Sequence, residues 1–353
     1  MTMQLNDRIK SLILNEGPLD LATYMQICLT DPDHGYYTTK KPIGRKGDFI
    51  TAPEISQLFG ELIGIWIIDT WQKLGAPSPF SLIEAGPGHG TLMADILRTI
   101  TKLSTPCAKA AHVQLIEISP PLKTIQKDKL SRFDTPLTWH ESIGDLGDDA
   151  FILIANEFFD ALPINQYQFV EGQWAERAIG LSPENTLTWG LKPSKFNTTL
   201  SPKPNDIFEI SVSAQKIVAD LSKRIKAQNG AALLIDYGHL NSDFGDTFQA
   251  IKDHAYTNPL EDPGSADLTA HVDFDPFEKV AIKAGLRAKT TTQGAFLLAM
   301  GLLERAGALG ANLTKRQQEK IKTDVERLAA PEKMGNLFKV MTITRSGITP
   351  HGF

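Results

Sequence analysis

Short apolar runs alternate with amphipathic stretches along most of the chain after residue 80. The runs are apolar on both faces, which is typical of strands in a parallel sheet that helices cover on each side; they read FSLIEAG, HVQLIEIS, AFILIANEF and GAALLIDYG. The stretches between them, such as TLMADILRTITKL, repeat apolar residues at spacings of three and four, as a helix does. The apolar stripe of that stretch is predicted to consist of Leu92, Ile96, Ile100 and Leu103. The alternation predicts an α/β fold built on a doubly wound sheet.

Three segments depart from this alternation. Residues 1–78 have a mostly helical pattern, and residues 166–204 contain hairpin-like strands rich in aromatic residues. Residues 294–331 show a helical pattern whose apolar side is predicted to consist of Leu297, Leu298, Leu302 and Leu303. FKVMTITR, near the end, predicts a last strand. We therefore predict an N-terminal helical region over 1–78 and a sheet domain over 79–353 that carries a β-rich and a helical insertion.

Composition narrows the class of protein. The 353 residues include 36 Lys and Arg against 41 Asp and Glu, a net charge of -5, which counts against a nucleic-acid partner. Cys28 and Cys107 are too few for a disulfide framework, and the histidine spacing does not predict a metal site. The longest apolar run, residues 62–68, is far shorter than the roughly 20 residues of a membrane helix. Because the N-terminal segment is acidic and lacks an apolar core, we predict a cytoplasmic protein without membrane insertion.

The segment LIEAGPGHGT, residues 82–91, carries the clearest chemical signal. A strand runs there into three alternate glycines and then into a helix, so a ligand can approach the backbone and the free N–H groups closely. A dinucleotide site, G-x-G-x-x-G, would need its third glycine at Thr91, and the P-loop pattern is absent. The spacing is instead E-x-G-x-G-x-G, formed by Glu84, Gly86, Gly88 and Gly90.

This spacing resembles motif I of class I S-adenosylmethionine-dependent methyltransferases, which implies S-adenosylmethionine as the cofactor. Its methionine part carries an ammonium, which Glu84 could attract, and it brings no phosphate that would require a basic residue in the loop. Glu117, at the end of the strand HVQLIEIS, could accept both ribose hydroxyls, as an NAD enzyme would also require. Glu141 and Ser142 follow the strand LTWH, where this class often contacts adenine, although a surface turn explains them equally well.

Six strings extend the resemblance to one family. They read DPDHGYY, GDFITAPEISQLFGELIG, LIEAGPGHGTLMADILR, ANEFFDALPINQY, LLIDYGH and DLTAHVDF. In this order, over nearly the whole chain, they resemble the MidA-like family, which includes the mitochondrial methyltransferase that assists respiratory complex I assembly. The resemblance implies a class I methyltransferase (Rossmann-like) fold and a protein substrate. For the mitochondrial member it implies methylation of an arginine on a complex I subunit.

The candidates for catalysis follow the strand FILIAN. Asn156, Glu157 and Asp160 lie there, at the sheet edge where doubly wound folds place ligands. Carboxylates can bind the planar fork of a guanidinium in a bidentate way and draw its charge from the attacking nitrogen, and Asn156 could orient the substrate. Capping of a following helical turn is the alternative for the two acids.

Further candidates for substrate contact are spread along the chain. Asp236 and Tyr237 end the strand LLIDYG, where a hydrogen bond at the sheet end is an equal alternative. His271 could form an acid–base cluster with Asp267 and Asp273 in DLTAHVDF, although capping of the following helix explains Asp273 equally well. Asp48 and Thr51 lie in a loop that also carries four basic residues; a cover over the cofactor or the substrate and a merely solvated run of charge are equal interpretations of this loop.

Three hypotheses for function remain open on the sequence alone. The first is a protein methyltransferase that acts on arginine. The second is an NAD-linked oxidoreductase, which the spacing of the glycines disfavours. The third is a non-catalytic assembly factor that keeps the cofactor fold only as a scaffold.

Overall fold

The structure is a computed structural model that describes residues 4–39 and 51–353. Its helices are α1 (Leu5–Glu16), α2 (Leu21–Thr30), α3 (Tyr36–Thr39), α4 (Ala52–Ile55), α5 (Gln57–Lys73), α6 (Thr91–Leu103), α7 (Thr105–Ala110), α8 (Pro120–Leu130), α9 (Val212–Gln228), α10 (Phe274–Lys283), α11 (Gln293–Ala299), α12 (Leu302–Gly310) and α13 (Lys315–Ala329). Its strands are β1 (Leu19–Asp20), β2 (Phe80–Ala85), β3 (Ala111–Ile116), β4 (Leu137–His140), β5 (Phe151–Asn156), β6 (Asn165–Val170), β7 (Gln173–Leu181), β8 (Leu187–Pro193), β9 (Ile207–Ile210), β10 (Ala231–His239), β11 (Gln249–Lys252), β12 (Ala255–Thr257), β13 (Asp267–Thr269), β14 (Val272–Asp273), β15 (Leu286–Thr292) and β16 (Phe338–Arg345).

The chain forms two compact units, each built from separate stretches of sequence. The hairpin unit combines the described parts of residues 1–49 with residues 160–216 and 241–273. The parallel-sheet unit comprises residues 50–159, 217–240 and 274–353. The predicted division has one boundary, at residue 78, and it stays a prediction. The two units of the structure have several boundaries along the chain.

The parallel-sheet unit is organised by a sheet with the strand order β15-β16-β10-β5-β2-β3-β4. The strands from β10 to β4 pair in parallel, whereas β16 runs antiparallel to both β10 and β15. Strands β2 and β5 are buried at every position, because runs apolar on both faces suit a sheet covered on each side. The predicted α/β fold with a doubly wound sheet is confirmed, including FKVMTITR as its last strand.

One hydrophobic core joins the helices of this unit to the sheet. Leu92, Ile96 and Ile100 of α6 are buried in it, as the stripe predicted. Leu103 was wrongly added to that stripe: it is 58% exposed, because it is the last residue of α6 and extends past the core. Two leucines of the helical insertion, Leu298 and Leu303, are also exposed, since α11 ends before α12 begins and the two helices do not share one continuous face.

The hairpin unit has its own antiparallel sheet, in which β7 lies between β1 and β6, β9 pairs with β6, and β8 pairs with β7. A second sheet has the order β12-β11-β13. The hairpin strands predicted over residues 166–204 are therefore present, and β9 extends the sheet beyond that range. Buried residues of α1 and α2, such as Ile9 and Tyr24, form a core with Ile179 of β7.

Two general features of the described residues bear on function. No helix within residues 4–39 or 51–353 has both the length and the apolar character needed to cross a membrane. Asp31, Asp33 and His34 place possible metal-ligand atoms within 4.8 Å of one another. Asp31 there accepts hydrogen bonds from the N–H groups of Asp33 and His34 and pairs with Arg8 at 2.8 Å. These contacts give Asp31 a structural role at the end of α2.

Candidate functional site

The glycine loop lies between β2 and α6 in the parallel-sheet unit. Gly86, Gly88 and Gly90 have φ values of 66°, 50° and 71°, a region that side chains other than glycine rarely adopt. Gly86 N–H donates to Ile116 O at 3.1 Å, which ties the loop to β3. Gly86 also needs its small size, because a Cβ there would lie 3.0 Å from the ring of Phe158. The loop is thus fixed by its backbone and open to close approach by a ligand.

Glu84 lies on β2 beneath this loop and is 2% exposed. Its Oε2 atom has no hydrogen-bond partner among the described residues. Burial raises the pKa of Glu84 to about 8, and the charge of Glu117 adds to the rise. A buried carboxyl oxygen without a donor fits a ligand that brings a cation or an N–H group.

Glu117 follows β3, and the structure brings it into the same site as the glycine loop. Its Oε1 accepts Ser119 N–H at 2.8 Å, and its Oε2 accepts the side-chain amide of Gln126 at 3.0 Å. Burial raises the pKa of Glu117. Ile118, the next residue, is 41% exposed, so an apolar side chain lies beside a carboxylate at the end of β3. That combination suits a nucleoside, with polar ribose hydroxyls and an apolar base face.

Gln126 on α8 is a residue of this site that the sequence analysis missed. Its amide nitrogen donates to Gly88 O at 2.8 Å as well as to Glu117, and its oxygen accepts the Trp139 indole N–H at 2.9 Å. Gln126 is fully buried, so one side chain links the glycine loop, the strand end after β3 and β4. The available signal was its position midway between Leu122 and Leu130, at the centre of an apolar stripe.

Thr91 begins α6 and joins three helices. Its hydroxyl donates to Glu54 of α4 at 2.6 Å and accepts from Lys129 of α8 at 2.5 Å. The positive charge of Lys129 acts on Glu84 in the opposite sense to burial. The start of α6 therefore lies near the positive charge of Lys129 and near two carboxylates, Glu54 of α4 and Glu84 of β2.

The turn after β5 carries Glu157 in an unusual backbone conformation. Glu157 has a φ of 51°, which costs a non-glycine residue about 1–2 kcal/mol. Its Oε1 accepts hydrogen bonds from the Asn156 amide at 3.1 Å and from Ala52 N–H at 3.2 Å. Asn156 Oδ1 is buried and has no partner among the described residues. The structure therefore brings Asn156 and Glu157 together at the carboxyl end of a central strand.

Asp236 at the neighbouring strand end is fully buried. Its Oδ2 accepts Phe158 N–H at 3.1 Å and Phe159 N–H at 2.9 Å, and its Oδ1 accepts Tyr237 N–H at 3.0 Å. The ring of Tyr237 packs edge-on against Phe338. Of the two interpretations of Asp236, these contacts favour the hydrogen bond at the sheet end over direct substrate contact.

The other predicted residues have different surroundings. Asp160 and His271 belong to the hairpin unit, where Asp160 O accepts Ala270 N–H and His271 N–H donates to Thr247. The Glu141 side chain is 80% exposed, and Ser142 caps the helical turn Ile143–Asp145. Thr51 precedes α4, and its side chain makes no capping bond there. Asp48 and the basic residues of its loop lie outside the described residues. The roles of all these residues stay predictions.

Comparison with known proteins finds relatives over most of the chain. "Protein arginine methyltransferase NDUFAF7 homolog, mitochondrial" of Drosophila melanogaster is 35% identical, over 98% of this chain and 85% of that protein. "Protein arginine methyltransferase NDUFAF7, mitochondrial" of Homo sapiens is 34% identical, over 94% of this chain and 81% of that protein. A Burkholderia thailandensis crystal structure with bound S-adenosyl-homocysteine has a TM-score of 0.87 at 22% identity and covers 99% of this chain and 93% of that one. This last likeness shows the fold.

The prediction of a cytoplasmic protein is corrected by these relatives. The names of the fly and human proteins place them in mitochondria, which conflicts with that prediction. That prediction was based on the charge and hydropathy of the first residues.

A family profile gives the last finding. The sequence pattern of S-adenosyl-L-methionine-dependent methyltransferases matches residues 62–292, which include the glycine loop and the ends of β3, β5 and β10. Family membership excludes the NAD-linked alternative. The orphaned Glu84 oxygen, the three glycines in left-handed conformations and the carboxylate after β3 all fit the cofactor. The chain belongs to the family of S-adenosyl-L-methionine-dependent methyltransferases, and S-adenosylmethionine is its cofactor.

Proposed function

We propose that this enzyme methylates arginine side chains of a protein substrate. The observation that carries the proposal is the match, over nearly the whole chain, to relatives that are themselves named protein arginine methyltransferases. The carboxylate of Glu157 supports it, because it lies at the carboxyl end of β5, where parallel α/β sheets place their ligands.

We also propose how the site would hold the cofactor. S-adenosylmethionine, when bound, supplies a methyl group on a positively charged sulfur. Glu84 would accept the ammonium of the methionine part, and Glu117 would accept the ribose hydroxyls. Gln126 would keep Glu117 and the carbonyl of Gly88 in fixed positions. Glu141 and Ser142 remain candidates for the adenine, with Ile118 as an apolar neighbour of the base.

Glu157 has the chemistry that arginine methylation requires on the substrate side. A guanidinium is a poor nucleophile, because its positive charge is shared by all three nitrogens. A carboxylate that accepts two N–H groups draws that charge toward itself and leaves a lone pair available on the third nitrogen. Asn156 donates to Glu157 and could orient the same group through its buried Oδ1. Asp160 is proposed as the second acid.

We propose a subunit of respiratory complex I as the substrate, in line with the MidA-like resemblance. The test is a comparison of methyl-arginine peptides in wild-type cells and in cells that lack the gene. We expect peptides of one or a few proteins to lose the modification, and we expect purified enzyme to restore it in the mutant extract. An unchanged set of methyl-arginine peptides would contradict arginine methylation. If purified enzyme restored methyl groups on another residue type, that residue type would be the methyl acceptor in place of arginine.

A further inference from the structure

We propose that Asp236 is a positioning residue that fixes the turn after β5 and thereby the direction of the Glu157 carboxylate. The inference rests on the proposed catalytic function of Glu157. Asp236 would act on Glu157 through the backbone of the turn after β5 and would not contact the substrate.

The first observation is the set of bonds between β10 and the turn. Ile235 O accepts Glu157 N–H at 2.9 Å, and Asp236 Oδ2 accepts the N–H groups of Phe158 and Phe159. Two consecutive residues of β10 thus bind three consecutive N–H groups of the turn. Strand β10 lies next to β5 in the sheet, so the two strand ends are neighbours although almost 80 residues separate them in sequence.

The second observation is the conformation that these bonds hold. Glu157 has a φ of 51°, in the left-handed region that residues with a side chain adopt infrequently and at an energetic cost. The three N–H bonds restrain the turn in this conformation. Without the Asp236 carboxylate, Phe158 and Phe159 would lose their acceptor inside the protein, and the turn would be free to relax.

The third observation is what the turn connects. Glu157 Oε1 receives Ala52 N–H at 3.2 Å, and Phe158 packs where a side chain on Gly86 would otherwise lie. A shift of the turn would therefore move the carboxylate and would also disturb its packing on the glycine loop. The loop keeps its own anchors, since Gly86 N–H binds Ile116 O and Gly88 O binds Gln126. We accordingly expect a larger effect on turnover than on cofactor binding.

A buried carboxylate is required for this arrangement. Oδ2 accepts two N–H groups while Oδ1 accepts Tyr237 N–H, so both oxygens face donors. In Asp236→Asn, the amide NH₂ must face one of these donors, which weakens the bonds with almost no change in volume. The donors to both Asp236 oxygens come from the protein itself, so these contacts favour a role through the turn over direct contact with a substrate.

The experiment is a double-mutant cycle with Asp236→Asn and Glu157→Gln. Turnover is measured as radioactive methyl transfer from saturating S-adenosylmethionine to arginine in an extract of cells that lack the gene. S-adenosylhomocysteine affinity and thermal stability are measured on the same proteins. We expect Asp236→Asn to lower turnover at least about tenfold in the wild-type background and less than about twofold in the Glu157→Gln background, with affinity within about threefold. The loss of stability should be the same in both backgrounds.

Asp95→Asn is the matched control. Asp95 is also a buried carboxylate of the parallel-sheet unit, paired with Arg98 at 2.7 Å on α6. We expect this variant to lose stability while its turnover stays within about twofold of wild type. The comparison of the two variants separates the effect of lower stability on turnover from the effect of a displaced Glu157 carboxylate.

Equal loss of turnover in both backgrounds, or full turnover in Asp236→Asn, would overturn the positioning role. Full turnover in Glu157→Gln would instead overturn the proposed function of Glu157, so the two failures are distinguishable. If Asp236→Asn does not fold, Asp236→Glu replaces it, because this variant keeps the charge and displaces it by one methylene. Full turnover with intact S-adenosylhomocysteine binding in Asp236→Glu would likewise refute the proposal.

Discussion

At the scale of single residues, the buried acids differ in what satisfies them. Asp236 and Glu117 accept hydrogen bonds on both oxygens, whereas one oxygen of Glu84 has no partner among the described residues. The first two are preorganised by the protein itself. We propose that a bound ligand satisfies this oxygen of Glu84, which would couple the protonation of Glu84 to binding.

We expect the affinity for S-adenosylhomocysteine to increase with pH up to about 8 and then to level off. In the free protein, the raised pKa of Glu84, about 8, keeps this carboxyl protonated at neutral pH. An ammonium beside it favours the charged form, so binding releases a proton, and the affinity gains at most about tenfold per pH unit. Calorimetry across this pH range, in buffers of different ionisation enthalpy, measures both effects. Glu84→Gln should bind more weakly and lose the dependence; the same slope in this variant would assign the proton to another group.

The raised pKa of Glu84 also makes the free energy of unfolding depend on pH. Folding raises the pKa of Glu84 from 4.5 to about 8, so the folded protein takes up a proton between these values. The contribution of this carboxyl to the free energy of unfolding is complete below 4.5 and is lost as the pH rises through 8.

For Glu157→Gln we expect turnover to fall on the order of 100-fold, with nearly unchanged cofactor affinity, because the negative charge that acts on the guanidinium is lost. A role restricted to binding the Ala52 N–H group predicts a different result. The variant would then lose about 0.5–1 kcal/mol of stability, from the weaker interaction with the start of α4, and keep full turnover. Melting temperature and methyl transfer, measured together, decide between the two roles.

At the scale of elements, the sequence predicts what depends on apolar pattern. The four runs that were predicted as strands became β2, β3, β5 and β10, since strands that helices cover on both faces are apolar along most of their length. Element ends were less predictable. Leu103 continues the spacing of α6, but the spacing does not reveal that the core stops before the last turn.

Contacts between elements were harder still to predict. Gln126 binds a glycine 38 residues away, and Asp236 binds a turn 77 and 78 residues away. Neither partner can be derived from spacing along the chain. Which distant segments meet depends on the order of the strands in the sheet, and the spacing does not specify that order. The sequence located the glycine loop and the acids after the strands, but the residues that position them were identified only in the structure.

We expect Thr91→Val to lower the free energy of unfolding by about 1–2 kcal/mol and to weaken S-adenosylhomocysteine binding. Valine has a similar shape but no hydroxyl, so Glu54 and Lys129 both lose a partner at the start of α6. Urea unfolding and calorimetry measure the two effects. Thr124→Val is the control, because the exposed Thr124 hydroxyl bonds Pro120 O in its own helix. A Thr91→Val protein no less stable than this control would show that the link between the helices is unimportant.

At the scale of the whole molecule, two units share a chain that passes between them several times. The fold class could be predicted because apolar runs alternate with helical stretches along the chain, as they do in a doubly wound α/β fold. The composition of the hairpin unit could not, since its three stretches share neither a period nor a boundary signal in the sequence. Asp160 therefore lies in the hairpin unit, whereas Glu157, three residues earlier, lies in the parallel-sheet unit.

The whole protein should respond to S-adenosylhomocysteine as a ligand of the native state. At a concentration of 100 times Kd, binding adds about 2.7 kcal/mol to the free energy of unfolding, so the melting temperature rises. NAD at the same concentration should leave the melting temperature unchanged, because the loop lacks the dinucleotide spacing. Gly88→Val is the matched variant: its φ of 50° disfavours a branched side chain, and we expect the ligand to have no effect on it. An equal shift with NAD would contradict our assignment of the loop.

Strand β16 lies between β10 and β15, and it is synthesised after both of them. During translation, the ribosome therefore releases two strands whose facing edges stay unpaired until residue 345 has emerged. Exposed strand edges are sites of aggregation, and a newly made chain must avoid such contacts from the release of β10 until the release of β16. A nascent chain that stalls before residue 338 would still carry the glycine loop and all the proposed catalytic residues, but its central sheet would be split beside β10.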